Sequence, residues 1–167
     1  MPDVETEADR QRFRAVMGHF ATGVAVVTGM GSEGAVGMTT NALCSLSLEP
    51  LLVVVCLDNS ARTLPVVLQS GRFAVNVLQA GQDALSGRFA SKLPLDRKFE
   101  AVDYRLEPGL PLLDDARASL VCEVRETFPG GDHTIAVGGV VALGHGEGRP
   151  LVWYRGSYTT VAQAKPG

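Results

Sequence analysis

Apolar positions along the chain recur in two rhythms, and the change between them falls at Thr22-Gly23. Before it, Phe13, Val16, Met17 and Phe20 repeat at the spacing of one helical face, which predicts an amphipathic helix over 7–20 lying on the body of the protein. After it, apolar residues come in short β-branched runs: VAVVT at 24–28, LLVVVCL at 51–57, RFAVNVL at 72–78, SLVCEVRETF at 119–128 and TIAVGGVVALG at 134–144. Side chains branched at Cβ suit a pleated surface, so each run predicts a strand. Gly29-Met30-Gly31-Ser32, Glu49-Pro50 and Pro129-Gly130-Gly131-Asp132 punctuate them as turns. The runs are too brief to alternate with the long crossover helices that parallel strands require. The expected fold is therefore mainly β, an antiparallel β-barrel with a few short helices.

Two helices are predicted between the strands. Residues 60–71 begin with a capping residue, tolerate Pro65 in the first turn and end on Gly71. Residues 82–90 place Leu85 and Phe89 four apart, which suits a surface helix packed on the barrel. No repeat, low-complexity tract or linker interrupts the chain. One domain is expected over 12–160, with 1–11 as an N-terminal extension and 161–167 as a C-terminal tail, disordered from 163 onward.

Composition narrows the function more than the fold. A chain of 167 residues with 46% apolar content can build a single core. Fifteen basic residues against 18 acidic ones, without a like-charge run, leave no electrostatic footprint for a nucleic acid and favour a small partner. Cys44, Cys56 and Cys122 are odd in number and scattered, two of them inside apolar runs, so they read as buried thiols rather than a disulfide frame. The N-terminus is charged where a signal peptide would be apolar, and no run is long enough to span a membrane, so a soluble cytoplasmic protein is expected. The three histidines, His19, His133 and His145, show no ligand spacing with the cysteines, and no metal is expected.

Two clusters carry candidate chemistry. In the stretch 37–50, GMTTNALCSLSLEP, small hydroxyl and amide side chains crowd between apolar strands. They offer many donors and little bulk, which would hold a flat heteroaromatic ring by its polar edge, or equally form a polar loop satisfying its own backbone. Asp58-Asn59-Ser60-Ala61-Arg62-Thr63 sets two hydroxyls and a guanidinium at a helix start. Such a terminus binds phosphate, and the same residues also serve as an ordinary cap.

In order along the chain, FATGVAVVT, GMTTNALCSLSLEP, LVVVCLDNSART, GRFAVNVL, LSGRFAS with Lys98-Phe99, GDHTIAVGGV and PLVWYRGSY resemble the flavin reductase-like domain over about 12–160. These are small NAD(P)H:flavin oxidoreductases that supply two-component monooxygenases. The resemblance implies an FMN-binding split β-barrel and a homodimer. It also implies hydride transfer from NADH or NADPH to FMN or FAD, with the reduced flavin passed to a monooxygenase. By position, Met38, Thr39, Thr40, Asn41 and Ala42 would line the isoalloxazine and ribityl chain, with Ser45, Leu46 and Ser47 continuing toward the phosphate. Cys56, Leu57 and Asp58 would flank the flavin, and Ser60, Arg62 and Thr63 would bind its phosphate. Arg88, Phe89, Ala90 and Ser91, with Lys92 near them, would close over its distal part. His133, Trp153, Tyr154 and Arg155, with Tyr158 nearby, would form the nicotinamide side. No residue is assigned as a catalytic acid or base. Many relatives carry two prolines after the SLS segment, where this chain has Glu49-Pro50 followed by Leu51. Surface exposure of His133 and packing of Trp153 and Tyr154 are the plain alternatives. A non-catalytic flavin- or haem-binding barrel is the rival function. A related oxidase acting on a pyridoxine phosphate would need an extra basic cluster that the chain lacks.

Overall fold

The computed structural model describes residues 6–162. Its elements are α1 (Glu7–Met17), β1 (Thr22–Gly23), β2 (Ala25–Gly31), β3 (Gly34–Thr40), β4 (Leu43–Leu48), β5 (Leu51–Asp58), α2 (Thr63–Ser70), β6 (Arg72–Val77), α3 (Asp83–Ala90), α4 (Leu95–Phe99), β7 (Tyr104–Leu106), β8 (Pro111–Leu113), β9 (Ala118–Gly130), β10 (His133–His145), β11 (Val152–Tyr154) and β12 (Ser157–Thr159). The tail expected at 163–167 lies outside the described residues, and the boundary expected after residue 11 falls inside α1.

Seven strands form one antiparallel sheet in the order β3-β2-β6-β9-β10-β5-β4, as the short β-branched runs require. Its edge strands, β3 and β4, are consecutive in the chain. Where the chain passes from one to the other, Cys56 of β5 holds it: the Cys56 N–H donates to the Ala42 carbonyl at 2.9 Å, and Thr40 Oγ1 at the end of β3 donates to the Cys56 carbonyl at 3.4 Å. The sheet thus curls until β3 meets β5 at one end, giving a partly open barrel.

Val27, Val53, Val55, Leu57, Phe73 and Val75 fill the interior, with Leu64 and Val67 of α2 packed among them. A second cluster, including Val24, Val26, Leu78, Phe89 and Leu151, holds α3 against the other face of β2. β2 is therefore buried on both faces, which is why VAVVT is apolar without alternation. Full burial of each such side chain stabilises the fold by about 1.5–3 kcal/mol. The buried Asn76 is satisfied on both ends: its Nδ2 donates to the Val26 carbonyl and Thr28 Oγ1, each at 3.1 Å, and its Oδ1 accepts from Leu113 N–H at 2.9 Å.

Several expectations change. The first helix ends at Met17 and buries none of its residues, so it does not lie on the body. The segment 37–50 is the end of β3 plus all of β4, because alternate Val36, Met38 and Thr40 face inward. The hairpin turn placed at 29–32 falls two residues later, where Gly31 pairs with Gly34, whose φ of 117° suits glycine. The helix predicted from 60 begins at Thr63 after Arg62, which supplies no side-chain cap, although it ends as expected on a left-handed Gly71. Cys44 is exposed and Cys56 half-buried; only Cys122 is buried, with its thiol pushed up to about 12 by desolvation. Among the described residues no helix is long and apolar enough to cross a membrane.

Candidate functional site

A cleft of about 460 Å³ opens where β3 meets β5. Met38, Thr39, Thr40, Asn41 and Ala42 line it from β3 and the turn beyond. Asp58, Ser60, Ala61, Arg62 and Thr63 line it from the approach to α2. Phe89, Ala90 and Ser91 line it from α3, and Lys98 from α4. Gly37 makes the closure possible, since a Cβ there would meet Phe89 Cε1 at 2.7 Å and Cδ1 at 2.8 Å.

The cleft has a cationic end. Lys98 is only 8% exposed, and its Nζ donates to the Phe89 carbonyl at 2.9 Å and the Gly37 carbonyl at 3.4 Å, tying α4 to α3 and β3. Burial and then the nearby Arg62 charge push the Lys98 ammonium down from its ordinary value. Among the described residues neither cation forms an ion pair. The α2 N-terminus beside them carries no side-chain cap; Leu64 N–H donates to the Ala61 carbonyl at 3.2 Å and Pro65 has no N–H, so of its first three residues only Thr63 keeps an N–H without an acceptor among the described residues. Asp58, the carboxylate in the lining, is engaged locally: its Oδ1 accepts from Ser60 N–H and Oγ, each at 2.7 Å. Those bonds, led by the hydroxyl, hold its pKa below the ordinary value. A helix start with no side-chain cap and three cations without an ion pair among the described residues, Arg62, Lys92 and Lys98, suit a phosphate group.

The opposite end is polar but neutral. Thr39 Oγ1 donates to the Ser86 carbonyl at 2.7 Å, and Asn41 Nδ2 donates to Thr22 Oγ1 at 3.1 Å. Both residues thus satisfy the framework while lining the cleft. A smaller cavity of about 190 Å³ adjoins there, lined by Thr39, Thr40, Asn41, Ser86, Trp153 and Tyr158 among others. Trp153 and Tyr158 stack edge to face at 4.8 Å, and Tyr158 Oη lies 2.9 Å from Ser86 Oγ. His133 lies across from Asp58 in the β10–β5 register, at the Asp58–Arg62 end of the cleft, and reaches it because two turns are laced together. Asn59 N–H donates to the Asp132 carbonyl at 3.0 Å, Asn59 Nδ2 to the Gly131 carbonyl at 3.2 Å, and Thr134 Oγ1 to Asn59 Oδ1 at 2.7 Å.

The fold therefore gathers Met38, Thr39, Thr40, Asn41, Ala42, Asp58, Ser60, Arg62, Thr63, Phe89, Ala90, Ser91 and His133 around one space. It puts the remaining predicted residues elsewhere. Ser45, Leu46 and Ser47 lie on β4 away from the cleft, and Leu46 lines a separate groove. Leu57 points into the core, and Cys56 meets the site through its backbone, its thiol kept protonated by burial and by Cys44. The Arg88 guanidinium turns to the Glu100 carbonyl. Tyr154 stacks on His19 at 6.4 Å, and Arg155 N–H donates to the Gly18 carbonyl at 2.9 Å, so both join the end of α1. Lys98 was not among the predicted site residues. In LDRKF nothing local separates Lys98, which turns inward, from Arg97, which pairs with Glu100 at the surface.

Comparison with known proteins identifies the family. A family model described as the flavin reductase like domain matches residues 17–162. The reductase subunit HsaB of a flavin-dependent monooxygenase from Mycobacterium tuberculosis is 37% identical over 166 residues, covering 97% of this chain and 88% of that protein. A flavin reductase (NADH) from Kitasatospora aureofaciens is 41% identical over 158 residues, covering 90% and 81%. The NADH:FAD oxidoreductase SgcE6 of Streptomyces globisporus, solved with NAD and FAD fragments, superposes with a TM-score of 0.87 at 36% identity, covering 96% of this chain and 97% of that one.

Proposed function

The chain belongs to the flavin reductase like domain family, and on that premise we propose that its cleft takes FMN or FAD, with NADH or NADPH as hydride donor, and releases reduced flavin to a partner monooxygenase. The observation that carries this is the buried Lys98 beside Arg62 at an α2 N-terminus with no side-chain cap: an excess of positive charge at one end of a cleft whose other end is polar and neutral.

The bound flavin and nicotinamide supply the chemistry, a hydride passing from one ring to the other. The chain contributes position and charge. Arg62, Lys98 and the Thr63 N–H at the start of α2 would hold the phosphate, at the end of the cleft away from Thr39 and Asn41. Trp153 and Tyr158 line the adjoining cavity and would hold a nicotinamide there. That opening favours a reductase over a closed carrier. At the neutral end Thr39 and Thr40 give their hydroxyl protons to the framework, and the second N–H of Asn41 Nδ2 would be left to stabilise negative charge on a bound ring without donating a proton.

The working unit is a homodimer. Phe13 and Phe20 are 66% and 70% exposed on α1 and its following turn, and β5, apolar on both faces, buries only one. Its other face joins Leu46, Phe128 and Ile135 in an apolar groove of about 760 Å³ that a second copy covers. Three free thiols fit the reducing cytoplasm. Anaerobic addition of NADH to FMN with catalytic amounts of protein tests the function. Loss of the flavin's visible absorbance is the expected result; flavin binding without that loss would make the protein a carrier.

A further inference from the structure

The cavity of about 190 Å³ beside the flavin cleft is framed by a closed circuit of contacts, and one member of that circuit is a serine inside a helix. We propose that Ser86 of α3 is a positioning residue for hydride transfer: through Tyr158 and Thr39 it holds the wall of the nicotinamide cavity at a fixed distance from the wall of the flavin cleft. The inference rests on the reading of those two spaces and adds to it the part that sets their separation.

Ser86 is fully buried, against the usual habit of serine. A hydroxyl in a helix interior can satisfy itself on the carbonyl one turn earlier. The Ser86 Oγ lies instead 2.9 Å from Tyr158 Oη, 72 residues further along the chain. The Ser86 carbonyl accepts from Thr39 Oγ1 at 2.7 Å. Thr39 lines both the flavin cleft and the small cavity, and Tyr158 lines the small cavity, so one residue of α3 grips a side chain from each wall. From Tyr158 the circuit runs on to Trp153, which faces it across the β11–β12 pair with the rings edge to face at 4.8 Å. Trp153 pairs with Thr22 across β1 and β11, and Thr22 Oγ1 accepts from Asn41 Nδ2 at 3.1 Å. Asn41 follows Thr39 by two positions, which closes the circuit at the end of β3 where it began.

The circuit is unevenly braced. Its β1-β11-β12 sheet has strands of only two, three and three residues, too little backbone pairing to stand rigid by itself. The Ser86–Tyr158 hydrogen bond ties that small sheet to α3, which is itself anchored by the buried Phe89. Without the bond, Trp153 and Tyr158 keep their stack but gain freedom to move away from Thr39. A misplacement of about 1 Å between reacting groups can cost roughly a hundredfold in rate, whereas binding is spread over many contacts. Loss of the bond should therefore appear in the chemical step and leave affinity nearly untouched.

The test uses the wild type, Ser86→Ala, Tyr158→Phe and the double variant. Trp153 is the chain's single tryptophan, so its emission reports the cavity wall without any ligand. Acrylamide should quench it more readily in both single variants, at melting temperatures near that of the wild type. In anaerobic single-turnover reduction of FMN at saturating NADH, each single variant should be slowed about tenfold and the double variant no further, because both substitutions remove the same bond. Deuterium at the transferred position of NADH should keep its full isotope effect, and FMN affinity and KM for NADH should stay close to the wild-type values. Tyr158→Phe retains the ring against Trp153, so it reads the bond even if Ser86→Ala fails to fold. Unchanged quenching and rates, additive losses in the double variant, or a fall in FMN affinity matching the fall in rate would each overturn the inference. A raised KM for NADH at an unchanged limiting rate would overturn it too, by making Tyr158 a binding contact. A wild type that gives no NADH-dependent reduction of flavin would instead sink the reading of the two spaces.

Discussion

At the scale of single residues the cleft combines a buried ammonium, Lys98, with an exposed guanidinium, Arg62, and only the ammonium titrates within reach of an experiment. Desolvation and the Arg62 charge hold Lys98 below its ordinary 10.5. Between that lowered value and 10.5 the unfolded chain keeps a proton that the ligand-free folded chain has lost, so folding stability rises with pH across the window. Phosphate favours the charged form, so the ratio of FMN to riboflavin affinity should fall as pH climbs through the lowered value. Lys98→Met should remove that pH dependence and weaken FMN binding by about 1.5–3 kcal/mol, with riboflavin little affected; equal losses for both flavins would show that Lys98 acts only by tying α4 to α3. His133 calls for a different readout. Its Nδ1 lies 2.7 Å from Asp132 Oδ1, an arrangement that leaves Nε2 as an acceptor when Nδ1 carries the proton. His133→Ala should raise the KM for NADH about tenfold, equivalent to roughly 1.4 kcal/mol, while flavin affinity measured by fluorescence quenching stays nearly constant.

Elements matter here through how closely α3 and α4 approach β3. Gly37→Ala would drive a Cβ into Phe89, so we expect a loss of about 1–3 kcal/mol in urea unfolding together with weaker flavin binding. Gly87→Ala on α3, where an added Cβ meets nothing within 4 Å, is the control: it should leave binding intact and match or slightly raise stability. The sequence pattern reveals the central strands well, because β-branched runs such as RFAVNV have no other comfortable conformation. It hides β3 and β4, since their glycines, threonines and serines resemble loop composition. Only their pairing with β2 and β5 makes strands of them. Helix α2 shows the reverse: its C-terminal glycine is legible, while its start, without a side-chain cap, gains a cationic neighbour only once α4 brings Lys98 into the same cleft.

For the whole molecule, the unburied apolar face of β5 and the uncovered helix α1 are the features to test. We expect sedimentation at micromolar concentration to give twice the single-chain mass, and Leu51→Arg, a substitution at an exposed position in the outer groove, to shift the protein toward the monomer. A monomeric wild type would leave those apolar faces without an occupant.

Local periodicity and turn residues were enough to predict an antiparallel β protein, and the resemblance carried by the short motifs in order implied the flavin reductase-like family and most of the residues that line the cleft. These are properties of neighbouring residues, and neighbours along a chain report their own secondary structure and chemistry. Tertiary structure alone decided that Lys98 turns inward while Arg97 does not, and that Tyr154 and Arg155 join α1 instead of the cleft. It also decided that β5 hides one apolar face and shows the other. Each of those outcomes depends on which distant segment covers a side chain, and a single run of sequence carries no record of what will lie across from it.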